Sequence, residues 1–254
     1  MAPLRRPLQG LWNVVRFNWH FYAIALALAL GLTAVALFAP GPITTFALWL
    51  PVILLAPMLM SLLVTAYVYD FSPLYKLNWL PAKLPAGATV LTLNAGFDEI
   101  SASLAAHYPE ARLLALDFYH PDRHTEVSIR RARQAYPPYP GTQVVDTRQP
   151  LPLASASVDV AVAFLAAHEI RDDHERAAFF REIRRILKPG GHFFVTEHLR
   201  DQANFLAYTV GFLHFHSRST WQQTFRAAGL RLEQLIACTP FVSTFVLRSD
   251  ENAV

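Results

Sequence analysis

Between Phe17 and Tyr69 the sequence carries no Asp, Glu, Lys or Arg, and His20 is the only ionisable group besides tyrosines. A run of this length constrains the fold more than any other feature, because a domain in water needs charged side chains to coat its outside. Phe21 to Ala39 supplies uncharged residues for roughly 29 Å of helix at about 1.5 Å per residue, close to a hydrocarbon core of about 30 Å. Pro40-Gly41-Pro42 breaks that helix. A second apolar run, Thr45 to Tyr67, is again long enough to cross, with Pro51 and Pro57 predicting a kink. The spans are read at about residues 20–39 and 45–68 within an N-terminal segment of residues 1–83. Trp12, Phe17 and Trp19 before the first span, and Tyr67, Tyr69, Phe71, Tyr75 and Trp79 after the second, sit where aromatic belts form.

Charge placement agrees. Residues 1–83 hold Arg5, Arg6, Arg16, Lys76 and Lys83 against Asp70, a net +4, whereas residues 84–254 net −1, giving the overall +3. The basic excess therefore flanks the hairpin, where anionic headgroups lie, and nucleic-acid binding is not expected despite the pI near 9.1. With no basic residue in the central turn, both termini are expected in the cytoplasm, at the inner membrane. Two other readings compete: a secretory signal with Ala34-Val35-Ala36 as cleavage site, and a hairpin buried in a soluble fold. The second apolar run argues against the first, and the length without charge argues against the second. The hairpin also offers a surface for oligomerisation. A lone Cys238 excludes an internal disulfide and, in its apolar strand-like setting, reads as a buried structural thiol.

From Lys83 onward, short apolar runs alternate with amphipathic stretches, the pattern of an α/β domain over residues 84–254. Strands are expected at Thr89–Leu93, Arg112–Asp117, Gln143–Val145, Val158–Leu165 and His192–Thr196, with a closing antiparallel hairpin from Leu230–Ala237 and Phe241–Leu247. Helices are expected at Asp98–His107, Arg123–Ala135, Asp173–Leu187 and Thr220–Ala228.

Two stretches in register are more specific. Leu151-Pro-Leu-Ala-Ser-Ala-Ser-Val-Asp159 resembles an "LP…DxSFD" motif, and Phe180-Arg-Glu-Ile-Arg-Arg-Ile-Leu-Lys-Pro-Gly-Gly191 resembles "…E…RVLKPGG" before a strand. From Tyr69 to Arg248 the chain thus resembles the class I S-adenosylmethionine (SAM)-dependent methyltransferases, particularly the quinone-methylating branch. The resemblance implies a Rossmann-like domain with a seven-stranded, mostly parallel sheet, and SAM as cofactor.

It also implies a binding loop at Asn94, Ala95, Gly96 and Asp98, a helix N-terminus whose free amides favour a carboxylate. Here the sequence departs from the pattern: Thr92 stands where an acid is usual, and only Gly96 of three glycines is present. Asn94 still tolerates positive φ, while Asp98 would repel the SAM carboxylate unless it pairs with the ammonium. Asp117, with Phe118 beside it, matches the ribose-binding acid. Asp146 and Thr147 fall at the adenine position, and Phe164 with Leu165 and Ala166 at the pocket wall. Tyr69 and Tyr75 fall in the segment that closes over the cofactor.

Beyond the strand ends lie two polar clusters, His168-Glu169-Ile170-Arg171-Asp172 and Glu197-His198-Leu199-Arg200-Asp201. Methyl transfer to a phenol-like acceptor needs alignment and removal of a proton. His168 is expected as general base because histidine titrates near neutrality, with Glu169, His198 and Arg200 orienting it or binding a polar head group. Solvated surface salt bridges are the bland alternative. The apolar stretch Phe205–Phe215 is expected to shape the acceptor pocket and dock on the bilayer. His214 and His216, with His168, Glu169 and His198, offer nitrogen and oxygen ligands, but no metal is expected because their spacing fits no firm element. The expected function is a membrane-anchored SAM-dependent methyltransferase whose partners are the bilayer and a lipophilic small molecule: a quinone precursor, isoprenoid or lipid. The alternatives are a related fold binding a SAM-like ligand for other chemistry, or a non-catalytic scaffold.

Overall fold

The computed structural model describes residues 5–38 and 43–249, so the Pro40-Gly41-Pro42 break lies outside the described residues. Helix α1 (Gln9–Phe17) leads into α2 (Trp19–Phe38) and α3 (Ile43–Ala66), which pack against each other as a hairpin. Pro51 and Pro57 both lie inside α3, which runs as one element into a π-helical turn at Tyr67–Phe71. Phe21, Leu30, Val35, Leu37, Ile53 and Leu63 stay more than half exposed. A hairpin in a soluble core would bury them. Two helical stretches of mean hydropathy 2.3 are long and apolar enough to cross a membrane, and only 11% and 6% of them are buried.

Helix α1 is a finding that the sequence reading did not anticipate. Its first free amides, Gly10 N and Leu11 N, each donate to a carboxylate oxygen of Asp70 at 2.8 Å. An acid at a helix N-terminus satisfies unpaired donors and opposes the helix dipole. Asp70 thereby ties the start of α1 to the end of the hairpin.

The remainder forms a seven-stranded sheet in the order β3-β2-β1-β4-β5-β7-β6. Its strands are β1 (Thr89–Asn94), β2 (Arg112–Asp117), β3 (Gln143–Val144), β4 (Val158–Phe164), β5 (Leu187–His198), β6 (Leu230–Ala237) and β7 (Val242–Ser249). All neighbours are parallel except β7, which runs antiparallel to both β5 and β6. The helices are α4 (Ser101–His107), α5 (Val127–Ala135), α6 (Asp173–Ile186), α7 (Gln202–Tyr208) and α8 (Arg218–Ala227).

Alternation along β4 shows why both sheet faces are covered. Val158, Ala161 and Ala163 enter one apolar cluster with Phe179, Phe180 and Ile183 of α6 and with Trp221 and Phe225 of α8. Val160, Val162 and Phe164 enter a second, opposite cluster with Leu104 of α4. Apolar residues on both faces are what a central parallel strand requires. The second cluster also takes Val64, Val68, Leu74, Leu77, Trp79 and Leu80. The hydrophobic core therefore reaches back past the boundary read at Lys83, and the exit from the hairpin roofs one face of the sheet.

Element ends shifted where side chains compete for backbone groups. Asp98 Oδ1 accepts from Ile100 N and Ser101 N, so α4 begins at Ser101. The expected Arg123–Ala135 helix starts only at Val127, because His120 N donates to His124 Nδ1 at 2.8 Å in a separate turn. The Phe205–Phe215 stretch splits into α7, capped by Asp201, and a 3-10 turn at Thr209–His214. Cys238 is half-buried, its Sγ 3.1 Å from Thr244 Oγ1, and burial raises its pKa.

Candidate active site

The carboxyl ends of β1, β2, β4 and β5 open onto one cleft, and α1 lies across it. Phe17 meets Phe97 at 5.9 Å and Tyr136 at 6.3 Å, and Tyr136 Oη donates to Asn13 Oδ1 at 2.7 Å. Beneath this lid is a cavity of about 220 Å³. Tyr69, Glu99, Leu165, His168, His198 and Phe215 line its floor.

At the end of β1, Gly96 takes φ +95°, and a Cβ there would stand 3.0 Å from Arg133 and Tyr119 side-chain atoms. Asn94 Oδ1 accepts from Gly96 N at 3.1 Å, holding the turn. Among the described residues, Asn94 Nδ2 and Asp98 Oδ2 are buried without a hydrogen-bond partner. Leaving such groups unpaired costs about 1–3 kcal/mol each, so the loop presents one donor and one acceptor awaiting a partner. A zwitterionic amino-acid tail carries the complementary pair. Asp98 therefore does not simply repel a carboxylate: one oxygen caps α4 and the other suits an ammonium.

Asp117 is buried at the end of β2, where Oδ1 accepts from Tyr119 N at 2.9 Å. Its Oδ2 is held by Arg133 of α5, whose guanidinium also lies 4.4 Å from the Tyr119 ring centroid. The expected ribose acceptor thus already has a cationic partner, one that no local pattern marks. Asp146 and Thr147 are likewise engaged, by Arg123 at 2.7 and 2.9 Å, in a network with Glu175 and Arg148. Two expected cofactor-site residues lie elsewhere. Phe118 is fully buried in the core against Phe179, and Phe164 packs between Trp79 and Tyr75; of the expected wall residues, Leu165 lines the cleft. Leu165 reaches it through φ +49°, an unusual conformation for a leucine that turns the chain over the sheet end.

Tyr69 and Tyr75 do come to the cleft. Tyr75 Oη donates to Glu99 Oε1 at 2.8 Å, with Arg5 over its ring at 3.5 Å and 3.5 Å from Glu99. Burial raises the Glu99 pKa, with Arg5 acting against it. Tyr69 Oη lies 2.9 Å from His198 Nε2, and His198 Nδ1 lies 3.1 Å from Asn204 Oδ1. Asn204 Nδ2 donates to Asp201 and to the Phe241 carbonyl, which leaves its oxygen for His198. That assigns the proton to Nδ1 and an accepting lone pair to Nε2. Burial lowers the His198 pKa to about 4, so the ring is neutral at physiological pH.

His168 is differently placed. Its Nδ1 is 2.7 Å from Oε2 of the fully buried Glu197, and its Nε2 is 3.4 Å from Glu169 Oε1. Burial pushes its pKa down, but the carboxylates of Glu197 and Glu169 outweigh this and hold it up to about 10. A ring held between carboxylates is poorly suited to taking a proton, which corrects the base expected from sequence. Arg200 is also corrected: its Nε donates to the Phe215 carbonyl at 2.8 Å and its Nη2 to that of Leu213, strapping a loop rather than facing the cavity. His214 joins His168 and Glu169, whereas His216 turns away to Arg176 Nη1 at 3.1 Å. Arg176, wholly buried beside Trp221, and lid residues Asn13 and Phe17 escaped the sequence reading; the only signal was the apolar i, i+3, i+4 spacing of α1.

The strand order and the cleft can now be set beside known proteins. Residues 91–195 match the family described as "Methyltransferase domain". Over this stretch, less than half of the chain, the protein is similar to SAM-dependent methyltransferase domains. A C-methyltransferase of ubiquinone/menaquinone biosynthesis, UbiE of Syntrophotalea carbinolica, is 30% identical over 119 residues, and the match spans 45% of this chain and 45% of that relative. The chain also resembles a SAM-dependent methyltransferase structure from Aquifex aeolicus, with TM-score 0.51 and 16% identity over 75% of this chain and 97% of the other. A family 2 O-methyltransferase structure from Planctomyces limnophilus, in complex with apigenin, gives TM-score 0.52 and 13% identity over 76% and 61% of the two chains. At these identities the two structures speak to the fold alone.

Proposed function

We propose that the protein is a membrane-anchored methyltransferase that uses SAM to methylate a lipophilic acceptor drawn from the bilayer. The observation that carries this reading is a second cavity, of about 450 Å³, between the hairpin and α7. It is lined by Phe21, Tyr22, Ala25 and Met58 on the hairpin side and by Tyr208, Gly211 and Phe215 on the other, and shares Asn18 and Phe215 with the cavity under α1. Phe205, Leu206, Val210 and Leu213 stand exposed beside it. Apolar surface next to two membrane-length helices favours docking in the interface. An acceptor in the bilayer would then reach the cleft without crossing water. The partial likeness to a quinone C-methyltransferase supports a quinone precursor as the acceptor class.

The residues fit the cofactor. Asn94 Nδ2 and Asp98 Oδ2 would take the methionine tail, and Asp117 the ribose once Arg133 withdraws. When bound, SAM supplies an electrophilic methyl group. Everything else falls to this chain: α1 and Phe215 exclude water, and neutral His198 offers Nε2 as proton acceptor, directly or through Tyr69. His168 and Arg200 position the loops around the site.

The test uses full-length protein in liposomes with radiolabelled SAM. The expected result is transfer to a lipophilic quinol precursor embedded in the bilayer, with little to a truncated water-soluble analogue. Equal rates on both acceptors would refute entry from the membrane, and no SAM binding by calorimetry would refute the cofactor assignment.

A further inference from the structure

His168, Glu169 and His214 meet at the wall of the cleft in an arrangement that methyl transfer does not require. Their ligand atoms all lie within 4.8 Å of one another. Glu169 Oε1 is 3.4 Å from His168 Nε2 and 3.5 Å from His214 Nε2. Both separations exceed ordinary hydrogen-bond lengths. Two ligands at about 2.0–2.1 Å from a tetrahedral ion lie about 3.3 Å apart, so the spacing is that of a coordination polyhedron's edge.

The far side of each imidazole carries the independent second observation. His168 Nδ1 is 2.7 Å from Glu197 Oε2, and His214 Nδ1 is 3.0 Å from Glu126 Oε1. With an ion bound, each ring would keep its Nδ1 proton on its carboxylate and give Nε2 to the ion, which for His168 takes the place of the proton that Glu197 and Glu169 hold on the free ring. Carboxylates placed behind metal-binding histidines orient the ring and raise its basicity in this way. Charge balance points to the same occupant. Glu126, Glu169 and Glu197 bring three negative charges to a region where Arg171 brings one positive charge. A divalent cation that displaces the second His168 proton, with both imidazoles then neutral, brings this sum to zero.

We propose that His168 Nε2, Glu169 Oε1 and His214 Nε2 bind a divalent first-row transition-metal ion. Two nitrogens and one carboxylate oxygen suit zinc, iron, cobalt or manganese, and three protein ligands leave room for water or an acceptor oxygen. Because His168 also lines the cavity under α1, the ion lies where it can polarise an acceptor hydroxyl. It would also clip the 3-10 turn bearing His214 to the end of β4. Arg171 must move aside: its Nη2 lies against both ring nitrogens of His214 and its Nη1 donates to the His214 carbonyl, contacts that binding would break, and its side chain, 42% exposed, has solvent to turn into. This inference does not depend on SAM binding.

The experiment treats full-length, detergent-purified protein with chelator, removes the chelator, and titrates Co²⁺ while recording visible ligand-field absorption. Saturation at one equivalent, reversed by Zn²⁺, is expected. Glu169→Gln and His214→Ala should weaken binding at least 100-fold, and Glu126→Gln about 10- to 100-fold by loosening its hold on the His214 ring. Arg171→Ala should tighten it by removing the competing cation, an effect that a mere salt-bridge cluster would reverse. Circular dichroism reports whether each variant is folded; if His214→Ala is not, Glu126→Gln and Arg171→Ala still decide. Non-saturating absorption, or affinity unchanged in folded His214→Ala or Glu126→Gln, overturns the proposal.

Discussion

Replacing Arg133 with alanine should make the protein bind SAM more tightly, because the guanidinium competes with the ribose for Asp117. Arg133 is 36% exposed at its side chain while Asp117 is 5% exposed. A charge-assisted hydrogen bond contributes about 1.5–3 kcal/mol, and solvent screening of the half-exposed arginine brings this to about 1–2 kcal/mol. Stacking on Tyr119 adds a little, and the Cδ and Nη1 atoms 3.0 Å from a Cβ position on Gly96 add steric competition. Removing that competition corresponds to a Kd lowered about 5- to 30-fold. The truncation also leaves Asp117 a buried charge without its partner, so unliganded Arg133→Ala should melt at lower temperature and recover more on SAM addition than the parent protein does. Isothermal titration of full-length protein in detergent, with thermal melts at matched ligand, reads both effects. Weaker binding in Arg133→Ala would refute the reasoning and make Arg133 a cofactor ligand. Unchanged binding would mean that the ribose never reaches Asp117.

Three further outcomes are expected. Asp117→Ala should weaken SAM at least tenfold in a protein that stays folded by circular dichroism, and unchanged calorimetric affinity would remove the ribose assignment. His198→Gln should lower kcat with little change in SAM affinity. It should also flatten the acid limb of stability: with a folded pKa of about 4 against about 6.5 unfolded, the unfolded chain takes up the proton first, so stability falls as pH drops from about 6.5 towards 4, by up to about 3 kcal/mol. Denaturant melts at pH 7 and pH 4.5 check this, and an equal acid loss in the variant would sink it. Leu206→Ser with Val210→Ser should cut transfer to a bilayer-embedded acceptor severalfold while sparing SAM binding; unchanged turnover in liposomes would show that α7 does not guide the acceptor.

How much of this protein its sequence determined can be argued element by element. Local chemistry sufficed for the hairpin, because charge-free runs of membrane length have few other uses. It sufficed for the strands too, since apolar runs such as Val158–Phe164 must be covered on both faces wherever they lie. The polar clusters after β4 and β5 were visible as strand-end residues, and the structure does bring His168, Glu169 and His198 together at one cleft. What each one does was not visible, because an imidazole's role depends on who holds its other nitrogen. His168 and His198 have the same chemistry in sequence, yet Glu197 and Glu169 keep one charged while Asn204 and Tyr69 leave the other neutral. Glu197 and Tyr69 stand far off in the chain and reach these rings only through the parallel register of β4 and β5 and the return of the hairpin exit over the sheet. The capture of Asp117 by Arg133 and the lid formed by α1 are of the same kind. Periodicity and burial write the elements into the chain, but hydrogen-bond partners at the site are set by tertiary packing, because their energies are decided by neighbours that no local window contains.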